Sequence, residues 1–516
     1  MNGTESAFEQ RTTGYMIRFY DALEKAVKRH RPEAYIPWAA ARMRAARDDI
    51  KKFAQTPPYR ILHSAEANCA FHKEGYSEPV VWQAIAKIMN VYQDYPDLLQ
   101  TATIPEKLER FFLIMDREQT EFQHRASWEY MGRIWQLFVN NPQSRTMSDA
   151  LLKSFGLSCK EWIQVCFLAW AAAQQTEECA FTKSAILRYE RLPMSEQAVD
   201  AFFRQSTCTP RDIGVRFREI RKKVPYKFHS LIRSTFFEYP IVRFADGRMV
   251  SPCNDILFRH SGQGLYRMAK ELKEFNTGFG GSFEAYVRTI LECISQRLTI
   301  LGERELKQAT NGKICDFLLE LPDVLLLVEC KACTFTANLL TDVAIANDNS
   351  TGKVAKAIQQ LCATACALDS GLARSLNVDA TKEVIGVVVT FGDVALANSE
   401  WYFTRFFLGR AERHSVTNLF PCGRMVRRPI VMSITAFEIL TRMLNAGAMS
   451  LSGLYSERER QPYYVVGDWP AYLRDVLNKL KMAVPKLSFV ESCTRELWAS
   501  LGIRDDEFAD AKTSDS

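Results

Sequence analysis

The sequence has no long hydrophobic run. Its longest uncharged apolar stretch, VCFLAWAAA at Val165–Ala173, is far short of the roughly 20 residues that a helix needs to cross a bilayer. No membrane partner is therefore expected. The opening segment, MNGTESAFEQRTTGY, lacks the basic-then-apolar layout of a signal peptide, which points to the cytoplasm. No sign of charge dominates: 66 basic against 60 acidic residues leave a net +6. The pI of about 8.5 permits a nucleic-acid partner without requiring one. Histidine is scarce, at seven dispersed residues, and HExxH is absent. GxxxxGK[ST] is absent too, and Ser350-Thr351-Gly352-Lys353 lacks its spacing, so nucleotide hydrolysis has no support. No fixed-period repeat points to a solenoid. The fourteen cysteines are scattered rather than grouped as a disulfide framework, which fits a reducing compartment.

At 516 residues and roughly 150 residues per domain, more than one domain is expected. Residues 1–235 read as a mainly helical region serving recognition, regulation or oligomerisation. Glycine is sparse there, and Trp128, Met131, Ile134, Trp135 and Phe138 recur at helical spacing. A connecting segment, 236–277, holds a hairpin signal at Asp246-Gly247 and a helix over Gln263–Phe275. From 278 to 400 the pattern alternates: a helix over Gly281–Leu298, a strand in TILGERELKQ, and strands Lys313–Leu321 and Val324–Ala332 joined at Pro322-Asp323. A polar loop then precedes a helix over Lys353–Leu368 and a buried strand over Glu383–Asp393. The order is αβββαβ, within an α/β class. Residues 401–510 read as an α/β extension containing a strand and helix over Pro429–Asn445, and 511–516 as a disordered tail.

The hairpin places the chemistry. With Pro322 and Asp323 as its two turn residues, Asp316 lies opposite Glu329 and Ile314 opposite Lys331. Opposed side chains have Cβ atoms about 4.5–5.5 Å apart, close enough for two carboxylates to share a divalent cation. Glu329 and Lys331 are two apart and share a face, whereas Asp323 is about 20 Å along the strand from Glu329. Two facing acids within apolar strands repel unless something offsets them, and Mg²⁺ or Mn²⁺ would. Asp316 and Glu329 would hold the ion, with the backbone carbonyl of Cys330 a further ligand and Lys331 orienting a water or stabilising phosphoryl charge. Glu284 could join the site from its helix, as a ligand or through water.

This ordered set resembles the PD-(D/E)XK nuclease superfamily, the restriction-endonuclease-like fold. The matching residues are Glu284 in GGSFEAYV, Asp316 in KICDF, Glu329 and Lys331 in VECKA, and Gln359 or Gln360 in AIQQL. The match spans about residues 278–393, and Cys315 stands where the family name has proline. The resemblance implies a restriction-endonuclease-like core and metal-dependent phosphodiester hydrolysis, with Asp316, Glu329, Lys331, Glu284 and one glutamine in the active site. A helical wheel centred on Val354 favours Gln360. DNA is preferred over RNA as partner, a homo-oligomer is expected because two strands are usually cut by two sites, and the analogy extends to prokaryotic anti-phage defence, restriction or repair. The alternative is a catalytically inactive nuclease fold acting as a nucleic-acid-binding scaffold.

Lys353 and Lys356, on the polar side of the helix carrying Gln360, are candidate phosphate contacts. So is the basic run VRFREIRKKVPYKFH, with Arg218, Arg221, Lys222 and Lys223. A second group is Arg42, Arg44, Arg47, Lys51 and Lys52. Cys330 and Cys333 form a CxxC, but their opposite strand parity disfavours zinc.

Overall fold

The computed structural model describes residues 18–48, 58–80, 91, 127–192, 194–224, 232–294, 298–310, 312–334, 349–392, 397–399, 402–408, 425, 427–460, 469–483 and 486–504. The protein is mixed α/β and mostly helical, with two small mixed sheets. Two compact units divide it. One comprises residues 1–140, 144–276 and 492–516, the other 141–143 and 277–491.

The division departs from the expected domain boundaries. Residues 236–277 belong with the helical unit rather than standing as a connector. The stretch 401–491 belongs with the second unit, where a helix over Glu303–Ala309 interrupts the expected αβββαβ order between its first two strands, and 492–516 returns to the first unit. The expected disordered tail, Lys51 and Lys52, and most of the loop 334–352 lie outside the described residues.

In the first unit, side chains close the helix starts. The helix Trp128–Phe138 begins after Ser127, whose hydroxyl accepts the Tyr130 N–H; of the expected stripe Met131, Ile134, Trp135 and Phe138 are buried and Trp128 is half-buried. Ser158 with Glu161 and Thr209 with Asp212 form reciprocal capping boxes on Cys159–Gln174 and Pro210–Lys223. A short four-stranded sheet contains the hairpin Ile241–Arg243 to Met249–Val250. Its turn needs Gly247, which sits at φ 84°. The segment expected as one helix over Gln263–Phe275 is broken: it opens in a π turn, His260–Gly264, continues as the short helix Leu265–Ala269, turns at 270–272, and its last residues belong to the next helix, which begins at Lys273.

The second unit is built on a five-stranded sheet. Helix α1 (Lys273–Glu292), whose residues 273–276 fall to the first unit in this division, runs straight through the glycines of TGFGG, where the sequence suggested a fresh start at Gly281. Phe275, Phe279, Phe283, Val287 and Ile290 keep the helical spacing across them, and all are fully buried. Packing outweighs the roughly 1 kcal/mol that each glycine costs a helix. Strand β1 is only Ile300–Gly302. The rest of TILGERELKQ is helix α2 (Glu303–Ala309), started by the Glu305 carboxylate accepting the Gly302 N–H. Its Glu, Arg, Leu, Lys and Gln are strong helix formers.

Strands β2 (Phe317–Glu320) and β3 (Val324–Lys331) form the hairpin, shorter on its first arm than expected. The Leu321 N–H donates to the Val324 carbonyl across Pro322-Asp323. Helix α3 (Asn349–Ala367) starts earlier than Lys353. Strands β4 (Glu383–Thr390) and β5 (Ile430–Ser433) follow, and helix α4 (Ile434–Asn445) continues directly from β5. The strand order is β1-β2-β3-β4-β5, antiparallel through β3 and parallel from β3 to β5. Central strand β3 is buried over Val324–Glu329, so a charge on it is enclosed on both faces.

Candidate active site

The register decides which acids meet. Phe317 pairs with Val328, Leu318 with Leu327, Leu319 with Leu326 and Glu320 with Leu325. One step beyond this ladder, Asp316 faces Glu329. The strand stops before Ile314, so Ile314 does not pair with Lys331. Asp316 sits instead in a bend, where its Oδ2 accepts the Cys330 N–H at 2.6 Å. That bond ties the end of one arm to the other where the ladder has ended.

Glu329 has no solvent exposure. Its Oε1 receives the Lys331 ammonium, while Oε2 has no hydrogen-bond partner. Burial, then the nearby Asp316 charge, pushes its carboxyl up to about 8; Lys331 and, less strongly, the backbone of Asp316 oppose both. Burial also raises Asp316, against the Cys330 N–H and Lys331. For Lys331, burial pulls downwards, but the charge and hydrogen bond of Glu329 prevail and its pKa is raised.

Gln360 joins the same group. Its Oε1 accepts from the Lys331 ammonium at 3.3 Å, and its Nε2 donates to the Ile314 carbonyl at 3.2 Å. The glutamine thus spans from β3 to the segment leading into β2. Thr364, one turn on, accepts the Cys315 N–H at 2.9 Å and donates to the Gln360 carbonyl at 2.8 Å. Glu284, half-buried on α1, is raised first by burial and then by the charges of Asp316 and Glu303, with Arg288 and Lys331 opposing. It shares the electrostatic environment of the hairpin acids.

Asp323 has a separate task. Its Oδ2 accepts the Ser452 N–H at 3.0 Å. Cys333 follows the strand and is buried, and among the described residues no three His, Cys, Asp or Glu side chains are placed to hold a metal ion together. Lys356 is exposed and Lys353 half-exposed at the start of α3.

The basic run is partly committed to packing. The Arg221 guanidinium lies 3.7 Å from the centre of the Tyr20 ring. Arg218 donates to the Ala70 carbonyl at 2.5 Å, and Arg216 pairs with Glu238 at 2.8 Å. Lys222 and Lys223 are exposed, and the end of the run, 225–229, lies outside the described residues. In the second group, Arg44 donates to the Gln174 and Thr176 carbonyls.

Compared with protein-family models, curated proteins and solved structures, the chain matches none.

Two residues near the acids went unnoticed in the sequence. Glu303 acts electrostatically on Asp316 and Glu284, and Lys307 feels both of those acids. Their signal would have been the pairing of β1 with β2, which no local pattern announces.

Proposed function

We propose that the chain is a metal-dependent nuclease that hydrolyses phosphodiester bonds, with DNA preferred over RNA. The observation that carries this reading is the convergence of Asp316, Glu329, Lys331 and Gln360 at the end of one buried hairpin. The strand and helix order around them supports a restriction-endonuclease-like core of the PD-(D/E)XK superfamily.

The donor set fits Mg²⁺ or Mn²⁺. Glu329 Oε2 is an orphaned buried oxygen, and it faces a second raised carboxyl at Asp316. A hard divalent cation would satisfy the oxygen and offset the repulsion. Asp316 and Glu329 would hold it, joined by the Cys330 carbonyl, with Glu284 as a ligand or through water. When bound, the ion supplies positive charge to phosphoryl oxygens and acidifies a water.

The chain's own groups do the rest. Lys331 presents an ammonium beside the acids, suited to orienting a water or stabilising charge that grows on phosphoryl oxygens. Gln360 fixes that ammonium from α3, so Lys331 pays less entropy on engaging a substrate. Lys353 and Lys356 lie at the start of the same helix and are suited to flanking phosphates.

The test incubates purified protein with supercoiled, linear and single-stranded DNA, and with RNA, plus Mg²⁺ or Mn²⁺. Asp316→Ala and Lys331→Ala should abolish cleavage. Equal cleavage by wild type and both variants would remove these residues from the active site. Binding without cleavage would favour an inactive scaffold.

A further inference from the structure

Asp316 has an acidic neighbour on each side. Strand β1 pairs with β2 as Ile300–Leu319, Leu301–Leu318 and Gly302–Phe317. Glu303, the first residue of α2, follows the last of these pairs on one arm, and Asp316 precedes it on the other. Strand β2 pairs with β3 so that Asp316 comes abreast of Glu329. Glu303, Asp316 and Glu329 thus gather in a loose row at the same end of three neighbouring strands, Glu303 and Asp316 just beyond the last paired positions. Glu284 approaches from α1, and the charge of Glu303 acts on both Glu284 and Asp316.

Each end of this row carries a lysine. Lys331 sits on Glu329, and Lys307, one turn along α2, sits 2.5 Å from Glu303. Lys307 also feels Asp316 and Glu284, so its ammonium lies within electrostatic reach of the shared acidic site. As placed, the two lysines occupy the outer carboxylates, and no three acids of the described residues close around a common point. One oxygen of the row stays unsatisfied: Glu329 Oε2, on a side chain with no solvent exposure. Leaving a buried oxygen unpaired costs stability, and among small ligands only a cation both satisfies it and offsets its acidic neighbours.

We infer that Glu303 is a further cation-binding residue of this site, and that Lys307 is the ammonium a divalent ion displaces from it. The inference rests on the metal-dependent reading above and adds to it a residue outside the resemblance. Divalent Mg²⁺ and Mn²⁺ favour carboxylate oxygens. Glu303 and Lys307 are 41% and 55% exposed, so their mutual bridge is worth little in water and is easily exchanged. The simpler role for the pair is an i,i+4 staple on α2, and the two roles predict different signs.

The experiment is a Mn²⁺ titration of the full chain without nucleic acid, followed by electron paramagnetic resonance. The proteins are wild type, Glu303→Gln and Lys307→Gln, with melting temperatures measured in parallel. Glu303→Gln should weaken Mn²⁺ binding roughly tenfold or more, the scale on which supporting residues act at metal sites. Lys307→Gln removes the competing ammonium and should tighten it. A staple would lower both melting temperatures alike and leave Mn²⁺ affinity unchanged, which overturns the inference. Wild type that binds Mn²⁺ no more tightly than Glu303→Gln overturns it alone. Wild type that binds no Mn²⁺ overturns the metal-dependent reading as well.

Discussion

Replacing Glu329 by glutamine isolates the energetics of the buried carboxyl. The amide keeps the shape of the side chain but cannot ionise. In the native protein burial and the Asp316 charge hold this carboxyl at about 8, against 4.5 in an ordinary environment. The folded state therefore binds the Glu329 proton more tightly than the unfolded chain does. The stability this contributes is fully present below pH 4.5 and is lost as pH rises through about 8. At about 1.4 kcal/mol per tenfold difference in proton affinity, the whole window is worth at most about 5 kcal/mol. Lys331 stays charged throughout it and adds no slope, while Asp316 and Glu284, also raised, add slope of the same sign. Urea unfolding in EDTA at pH 5 and pH 8 measures the effect. Wild type should lose several kcal/mol more than Glu329→Gln over that interval, up to the ceiling of about 5 kcal/mol. The same loss in both proteins would refute the assignment of the titration to Glu329.

Other substitutions test neighbouring parts. Tyr286 donates to Glu438 Oε1 at 2.6 Å between buried side chains, so Tyr286→Phe should cost about 1–3 kcal/mol in urea unfolding by removing a buried hydrogen bond to a carboxylate. Arg221→Ala should lower the melting temperature through loss of the Tyr20 contact, worth about 0.5–2 kcal/mol; Lys222→Ala and Lys223→Ala should leave it unchanged. A salt titration of DNA binding separates these roles: a slope unchanged on neutralising Lys222 and Lys223 removes the exposed end of the run from the interface. Gln360→Ala frees the Lys331 ammonium on one side and should lower kcat for DNA cleavage while leaving DNA binding intact, read by single-turnover kinetics and a binding titration.

The hairpin was legible because its information is local. A two-residue turn between apolar arms fixes the pairing of every residue beyond it, so Asp316 comes opposite Glu329 and Asp323 is left at the turn. Alternation along β3 puts Glu329 and Lys331 on one face. The wheel that favours Gln360 works for the same reason, since α3 keeps one helical period past Val354. The extent of the arms was less legible. Lys313–Asp316 are not strand, because β1 offers only three paired positions, Ile300–Gly302, before α2 begins. The break over 281 was misplaced because glycine propensity is weak beside a continuous stripe of buried phenylalanines.

The sequence by itself determined the hairpin, its turn and the acids that turn brings together, all consequences of spacing within a few tens of residues. Only the tertiary structure decided that Glu303 stands in the same row, since β1 reaches β2 around α2 and their register is set by packing. Only there does Glu329 prove to be fully enclosed with one oxygen unmatched, because β4, 59 residues further along the chain, lies against β3 in register with it. And only there do Arg218 and Arg221 turn inwards on Ala70 and Tyr20. A charge written in sequence carries no sign of whether water or a ring will receive it.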